Sequence, residues 1–162
     1  MAPAMALSLL TTAACTPGDA ALTADADGGT TRKVALTVTS SNGAHNFNVE
    51  LASTKAEQAR GLMFRTSIPA NGGMLFAPHP PQGGAPTEAS FWMKDTPSPL
   101  DIIFIRADGS IARIAENTTP FSEMPIPSGE PVSAILELRG GRSVELGIAP
   151  DDKVEWAGHP NP

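Results

Sequence analysis

Proline and glycine decide most of what this chain can become. Sixteen Pro and fifteen Gly among 162 residues interrupt it at short intervals, and neither residue suits a helix interior, Pro for want of an amide donor and Gly for its backbone entropy. The pattern predicts brief strands and turns in place of long helices. With 41% hydrophobic residues the chain can build one core, and 17% charged residues are too few for a disordered polymer. Eleven basic against seventeen acidic residues leave a formal charge of -6. No Lys/Arg cluster could neutralise a run of phosphates, so nucleic acid is not an expected partner.

The single cysteine is informative through its position. Met5 to Ala14 is a short apolar run that closes on small residues immediately before Cys15, and it resembles a bacterial lipoprotein signal. In such signals the cysteine is lipidated and becomes the new N-terminus. Thr12 stands where an aliphatic residue is usual, and no Lys or Arg precedes the run, as a start codon assigned too late would produce. The resemblance implies a signal at 1–14, a lipidated Cys15 leading a flexible tether through 32, one globular β-rich domain over 33–157 and a tail at 158–162. It also implies a place at the cell envelope or periplasm, with the membrane reached through the Cys15 lipid alone, since no apolar run approaches about 18 residues. A lipidated Cys15 forms no disulfide and excludes cysteine catalysis.

From Lys33 the pattern alternates. Val34, Leu36 and Val38, then Phe47, Val49 and Leu51, flank Asn42-Gly43 and predict a β-hairpin turning on that pair. Thr54 and Glu57 form a capping box for a helix over about 55–63, with Ala56, Ala59, Leu62 and Met63 on its buried face. Met74 to Phe76 is a short strand, followed by a Pro/Gly-rich loop that holds His79 exposed and inert. Asp108-Gly109 makes a second hairpin after a central strand from Asp101 to Ile105. Residues 116–129 form a long loop anchored by Phe121, Met124 and Ile126. A buried strand spans Val132 to Leu138, in which Glu137 turns to solvent or meets an inner Arg, solvent being favoured. Arg142 to Leu146 is a second helical turn, and Lys153 to Trp156 closes the sheet.

The densest chemistry lies in Phe91-Trp92-Met93-Lys94-Asp95-Thr96. A strand from Ala89 to Lys94 places Phe91 and Met93 on one face and Trp92 and Lys94 on the other, so either pair can be the buried one. Asp101 enters a strand that is apolar on both faces and needs a partner, for which Lys94, Arg60 or Arg65 is available. Arg60 and Arg65 otherwise satisfy the last helix carbonyls and nearby carboxylates. Trp92, Lys94, Asp95, Asp101, Arg60 and Arg65 are thus the candidate ligand-binding residues. His45, His79 and His159 are too scattered for a metal, and no cofactor is indicated.

Arg60-Gly61-Leu62-Met63-Phe64-Arg65, Gly73-Met74-Leu75-Phe76, Phe91 to Thr96, Pro99-Leu100-Asp101, Pro127-Ser128-Gly129 and Gly147-Ile148 with Asp152-Lys153-Val154 resemble, in order, the bacterial and archaeal domain-of-unknown-function family 192. The resemblance spans roughly Val34 to Trp156. It implies a mainly β (α+β) domain, a compact barrel-like mixed sheet with one or two short helices, often exported. Asp95 departs from the Asn common in the family after the Lys.

Three functions fit these residues. The first, and the one adopted, is a monomeric binding module at the envelope, in which Trp92, Lys94 and the 119–127 loop line a cleft for a small molecule, glycan or protein segment. The second is an enzyme using Lys94 with Asp101 or Asp95 as an acid/base pair. The third is copper handling through Met63, Met74, Met93 and Met124, although three of these sit in apolar motifs where core packing explains them.

Overall fold

The structure is a computed structural model that describes residues 22–24 and 30–159. The expected signal, Cys15 and the end of the tail lie outside the described residues. Leu22–Ala24 (β1) pairs antiparallel with the beginning of Thr30–Ser40 (β2), so backbone pairing begins before Lys33. β2 turns into Gly43–Ala52 (β3) through Ser41 and Asn42, the two residues between the paired Ser40 and Gly43. The expected turn is therefore displaced by one residue, with the positive φ of 115° on Gly43.

Lys55–Arg60 (α1) carries the full Thr54/Glu57 capping box. It is shorter than expected and has no buried residue, because Gly61 breaks it at φ 50° and Leu62 enters the core from beyond its end. Met74–Phe76 (β4), Thr87–Phe91 (β5), Leu100–Ile105 (β6), Ile111–Ala115 (β7), Ile126–Val132 (β8), Ala134–Arg139 (β9), Arg142–Leu146 (α2) and Lys153–Trp156 (β10) follow. The strand expected from Ala89 to Lys94 stops at Phe91, since the Met93 N–H donates to the Ser122 carbonyl at 2.8 Å and the chain turns at Asp95, φ 53°. The single strand expected over Val132 to Leu138 is split at Ser133, and its first residue belongs to β8.

The main sheet runs β1-β2-β3-β4-β9-β6-β7, with β10 also on β2. Among the described residues only β3 and β4 pair in parallel. A bridge between Ser110 and Lys153, flanked by Ile111 N–H to Asp152 O and Val154 N–H to Gly109 O, each 2.8 Å, brings β10 against the start of β7. The sheet thereby curls back on itself into a mainly β, barrel-like fold.

Two apolar layers follow from strand alternation. Leu36, Val38, Phe47, Val49, Leu75, Ile103, Ile105, Leu136 and Leu138 fill the inside of the curl. Phe76, Leu100, Ile102, Phe104 and Ile135 point the other way and meet Leu62, Ala89, Met93 and Val132, brought by the turn after α1 and the β5–β8 ribbon. Every residue of β6 is buried, as its continuous apolar run requires. Each such Ile or Leu contributes about 1.5–3 kcal/mol by leaving water.

Candidate functional site

Two acids sit inside this core on adjacent strands, where Asp101 of β6 faces Leu138 of β9 and Ile102 faces Glu137. Asp101 is fully buried, and its carboxylate accepts three backbone N–H groups: Asn117 at 2.7 Å and Gly141 at 2.9 Å on Oδ1, Ser143 at 2.7 Å on Oδ2. The last two are orphan donors at the start of α2, whose own N-cap, Gly141, has no side chain to offer. Asp101 caps that helix from the neighbouring strand. The chain can come this close because residue 140 is glycine: a Cβ there would lie 2.7 Å from the Asn117 side chain and 2.9 Å from Pro99. The expected cationic partner is thus replaced by backbone amides.

Glu137 has no such arrangement. It is 4% exposed, and its Oε2 has no hydrogen-bond partner among the described residues. This overturns the expected outward orientation: alternation in β9 gives Leu136 and Leu138 to the inner layer, which sends Glu137 to the opposite face, and that face is covered. Burial pushes its carboxyl up to about 8. Gly73 lets the backbone pass at this point, since a Cβ on it would fall 2.1 Å from the Glu137 carbonyl oxygen.

Glu137 lines a cleft of about 40 Å³ together with Arg60, Leu62, Met63, Phe76, Phe91, Trp92, Lys94 and Thr96, closed on one side by Gln58 to Gly61. Phe91 is fixed edge-on to Phe76 and Phe104, with centroids at 5.1 and 6.1 Å. At the mouth the Lys94 ammonium stands 5.4 Å from the Trp92 ring centre. Trp92 is 48% exposed while Met93 is fully buried, which settles the two orientations left open by the sequence.

Three loops meet beside this mouth and are stitched by their backbones, although the 119–127 loop, expected to line the cleft, supplies none of its lining residues. The Phe64 N–H donates to Asp95 O at 2.7 Å, Phe121 N–H to Thr96 O at 3.1 Å and Met93 N–H to Ser122 O at 2.8 Å. Phe64, Asp95 and Phe121 all take left-handed backbone, φ 64°, 53° and 60°, a conformation that costs a non-glycine residue about 1–2 kcal/mol. Asp and Asn tolerate it best, which suits Asp95 to this turn. Phe121 and Met124, expected as buried anchors, are exposed together with Phe64 and Trp92. The loop is held by these backbone bonds, which leaves its apolar side chains facing solvent.

Of the residues singled out in the sequence, Trp92, Lys94 and Arg60 come together around the cleft. Arg65 instead pairs with Glu50 at 3.1 Å, Asp95 serves through its carbonyl, and Asp101 is enclosed. Met74 and Met93 lie in the outer apolar layer, where the Met93 sulfur accepts from the Thr118 hydroxyl at 3.1 Å. Glu137 was missed; its signal was a lone acid in a strand whose other residues are nearly all apolar. Among the described residues no group of three or more His, Cys, Asp or Glu could hold a metal ion, and no helix is long and apolar enough to cross a membrane.

A larger cavity of about 550 Å³ opens beside Leu51, Pro78, His79, Ser133, Trp156 and His159. His79, expected exposed, is half-buried there, and burial lowers the pKa of both histidines. Trp156 and His159 stack edge-on at 4.3 Å. Its rim runs to Arg32 and His159, next to residues outside the described set. The cleft at Glu137 is smaller but holds an unspent acid, and several of the stretches that carry the family resemblance converge on it.

The chain belongs to the DUF192 family, described as uncharacterized ACR, whose model matches residues 36–156. Among solved structures it is similar to a protein of unknown function from Novosphingobium aromaticivorans DSM 12444, 44% identical, with a TM-score of 0.77 over 86% of this chain and 94% of that one. It is also similar to a protein from Sinorhizobium meliloti 1021 described as a "putative transcription regulator", 39% identical, with a TM-score of 0.73 over 79% of this chain and 96% of that one. No curated protein matches.

Proposed function

We propose that this protein is a binding module of the cell envelope, a monomer that captures a small molecule, or one end of a larger one, in the cleft over Glu137. The observation that carries the reading is a buried carboxyl without a partner facing a cleft whose mouth bears a solvent-facing Trp. An unpaired buried polar group costs about 1–3 kcal/mol, and a fold that keeps one beside an opening gains from it only when something binds there. The lipoprotein-like signal before Cys15 supports a membrane-anchored location, with the domain held above the surface on a tether. The acid/base alternative through Lys94 and Asp101 is weaker, because the Asp101 carboxylate is already taken up by three amides.

A thermal-shift screen of the chain from Cys15 onward against envelope metabolites and cell-wall fragments tests the binding reading. A hit is expected to raise the melting temperature of the wild type and to leave Glu137→Gln unmoved. A hit that stabilises both equally places binding elsewhere. Mass analysis of the N-terminal peptide from membranes tests the anchor, which an unmodified Cys15 would refute.

A further inference from the structure

Resting on the reading of the Glu137 cleft as a binding site, we propose that its ligand is a small zwitterion of the α-amino acid type, ammonium inward on Glu137 and carboxylate at the mouth on Lys94. The floor is a carboxyl whose Oε2 meets no donor. The polar side chains on the wall are turned away from it: the Gln58 amide donates to Ala52 O and Pro78 O at 3.1 and 2.8 Å, and the Thr96 hydroxyl to Lys94 O at 3.0 Å. Between floor and mouth the wall is Leu62, Phe76 and Phe91. A hydrogen-bond donor for Glu137 therefore has to arrive with the ligand.

The mouth is cationic, whereas Glu137 holds a proton in the empty cleft below about pH 8 and releases it to solvent when an ammonium docks against it. Lys94 and Arg60 both line it, and Lys94 has the Trp92 ring but no carboxylate partner among the described residues. A simple cation would be repelled on entry, and a simple anion would answer Lys94 but bring no ammonium to the buried acid. A molecule carrying both charges satisfies the two ends at once, which is specificity by exclusion of each singly charged class. The cleft of about 40 Å³ has room for roughly three water-sized groups. That suits an ammonium, its carbon and a small substituent, with the carboxylate outside.

Calorimetric titration with L-alanine, ethylamine and propionate separates these classes. Alanine is expected to bind at least about tenfold more tightly than either singly charged probe. Glu137→Gln should abolish that binding without lowering the melting temperature, and Lys94→Met should weaken it about fivefold while leaving folding intact. Ethylamine or propionate binding as tightly as alanine, or no heat with any probe, overturns the proposal. In the last case the metabolite screen decides the broader reading: a different hit that depends on Glu137 leaves the binding site standing, and the lack of one removes both.

Discussion

Asp101 and Glu137 are two acids on neighbouring strands, buried to nearly the same extent and set in opposite circumstances. Asp101 is saturated by the amides of Asn117, Gly141 and Ser143, so its charge ties β6 to the loop after β7 and to the start of α2. Glu137 has no hydrogen-bond partner on its buried Oε2 among the described residues and faces a cleft. Burial alone therefore does not say whether an acid is structural or functional; what fills its lone pairs does. The first acid secures the fold, and the second is left for something outside it.

Removing the structural acid should produce the largest effect. Asp101→Ala strands three amide donors in the interior and is expected to cost about 3–5 kcal/mol in urea unfolding, or to prevent folding. A loss under about 1 kcal/mol would mean the three bonds are dispensable and the contrast with Glu137 false.

The second effect is pH dependence. Glu137 titrates near 4.5 when unfolded and near 8 in the fold. Between these values the native chain holds a proton that the unfolded chain has released, so stability is full below about pH 4.5 and is lost as pH rises through 8. Unfolding across that window should show this decline in the wild type and a flatter profile in Glu137→Gln. Matching profiles would show that Glu137 is ionised and compensated.

The contrast explains why the sequence was legible in some places and not in others. The capping box at Thr54 and Glu57, the central strand from Asp101 and the short helix at Arg142–Leu146 rest on local signals, and the structure has them. Asp101 stood out because an acid at the mouth of an apolar strand demands a partner. The identity of that partner was hidden, since Gly140 and Gly141 bring amides from 40 residues away. Glu137 was misread because one acid among apolar residues looks like an outer-face residue until the β5–β8 ribbon is known to cover that face. The helix end failed because Gly61 breaks the helix at φ 50°, and the Trp92 strand because tertiary backbone bonds at Met93 and Phe121 outweighed strand periodicity.

Smaller effects sharpen the account of the mouth. Trp92→Ala should change stability by no more than about 1 kcal/mol, as befits a half-exposed ring, while weakening any ligand that binds at Glu137. A loss of about 3 kcal/mol would identify the indole as core. Smallest of all is Asp95→Asn, which keeps a residue tolerant of left-handed backbone and should shift stability by less than about 0.5 kcal/mol by thermal melting.

The contrast between the two acids is tested most directly by urea unfolding of Glu137→Gln at pH 8.5. If Glu137 is an unspent acid, removing its charge should make the chain more stable by about 1–3 kcal/mol. A loss of 2 kcal/mol or more, of the kind Asp101→Asn should show, would mean that Glu137 is a structural acid like its neighbour.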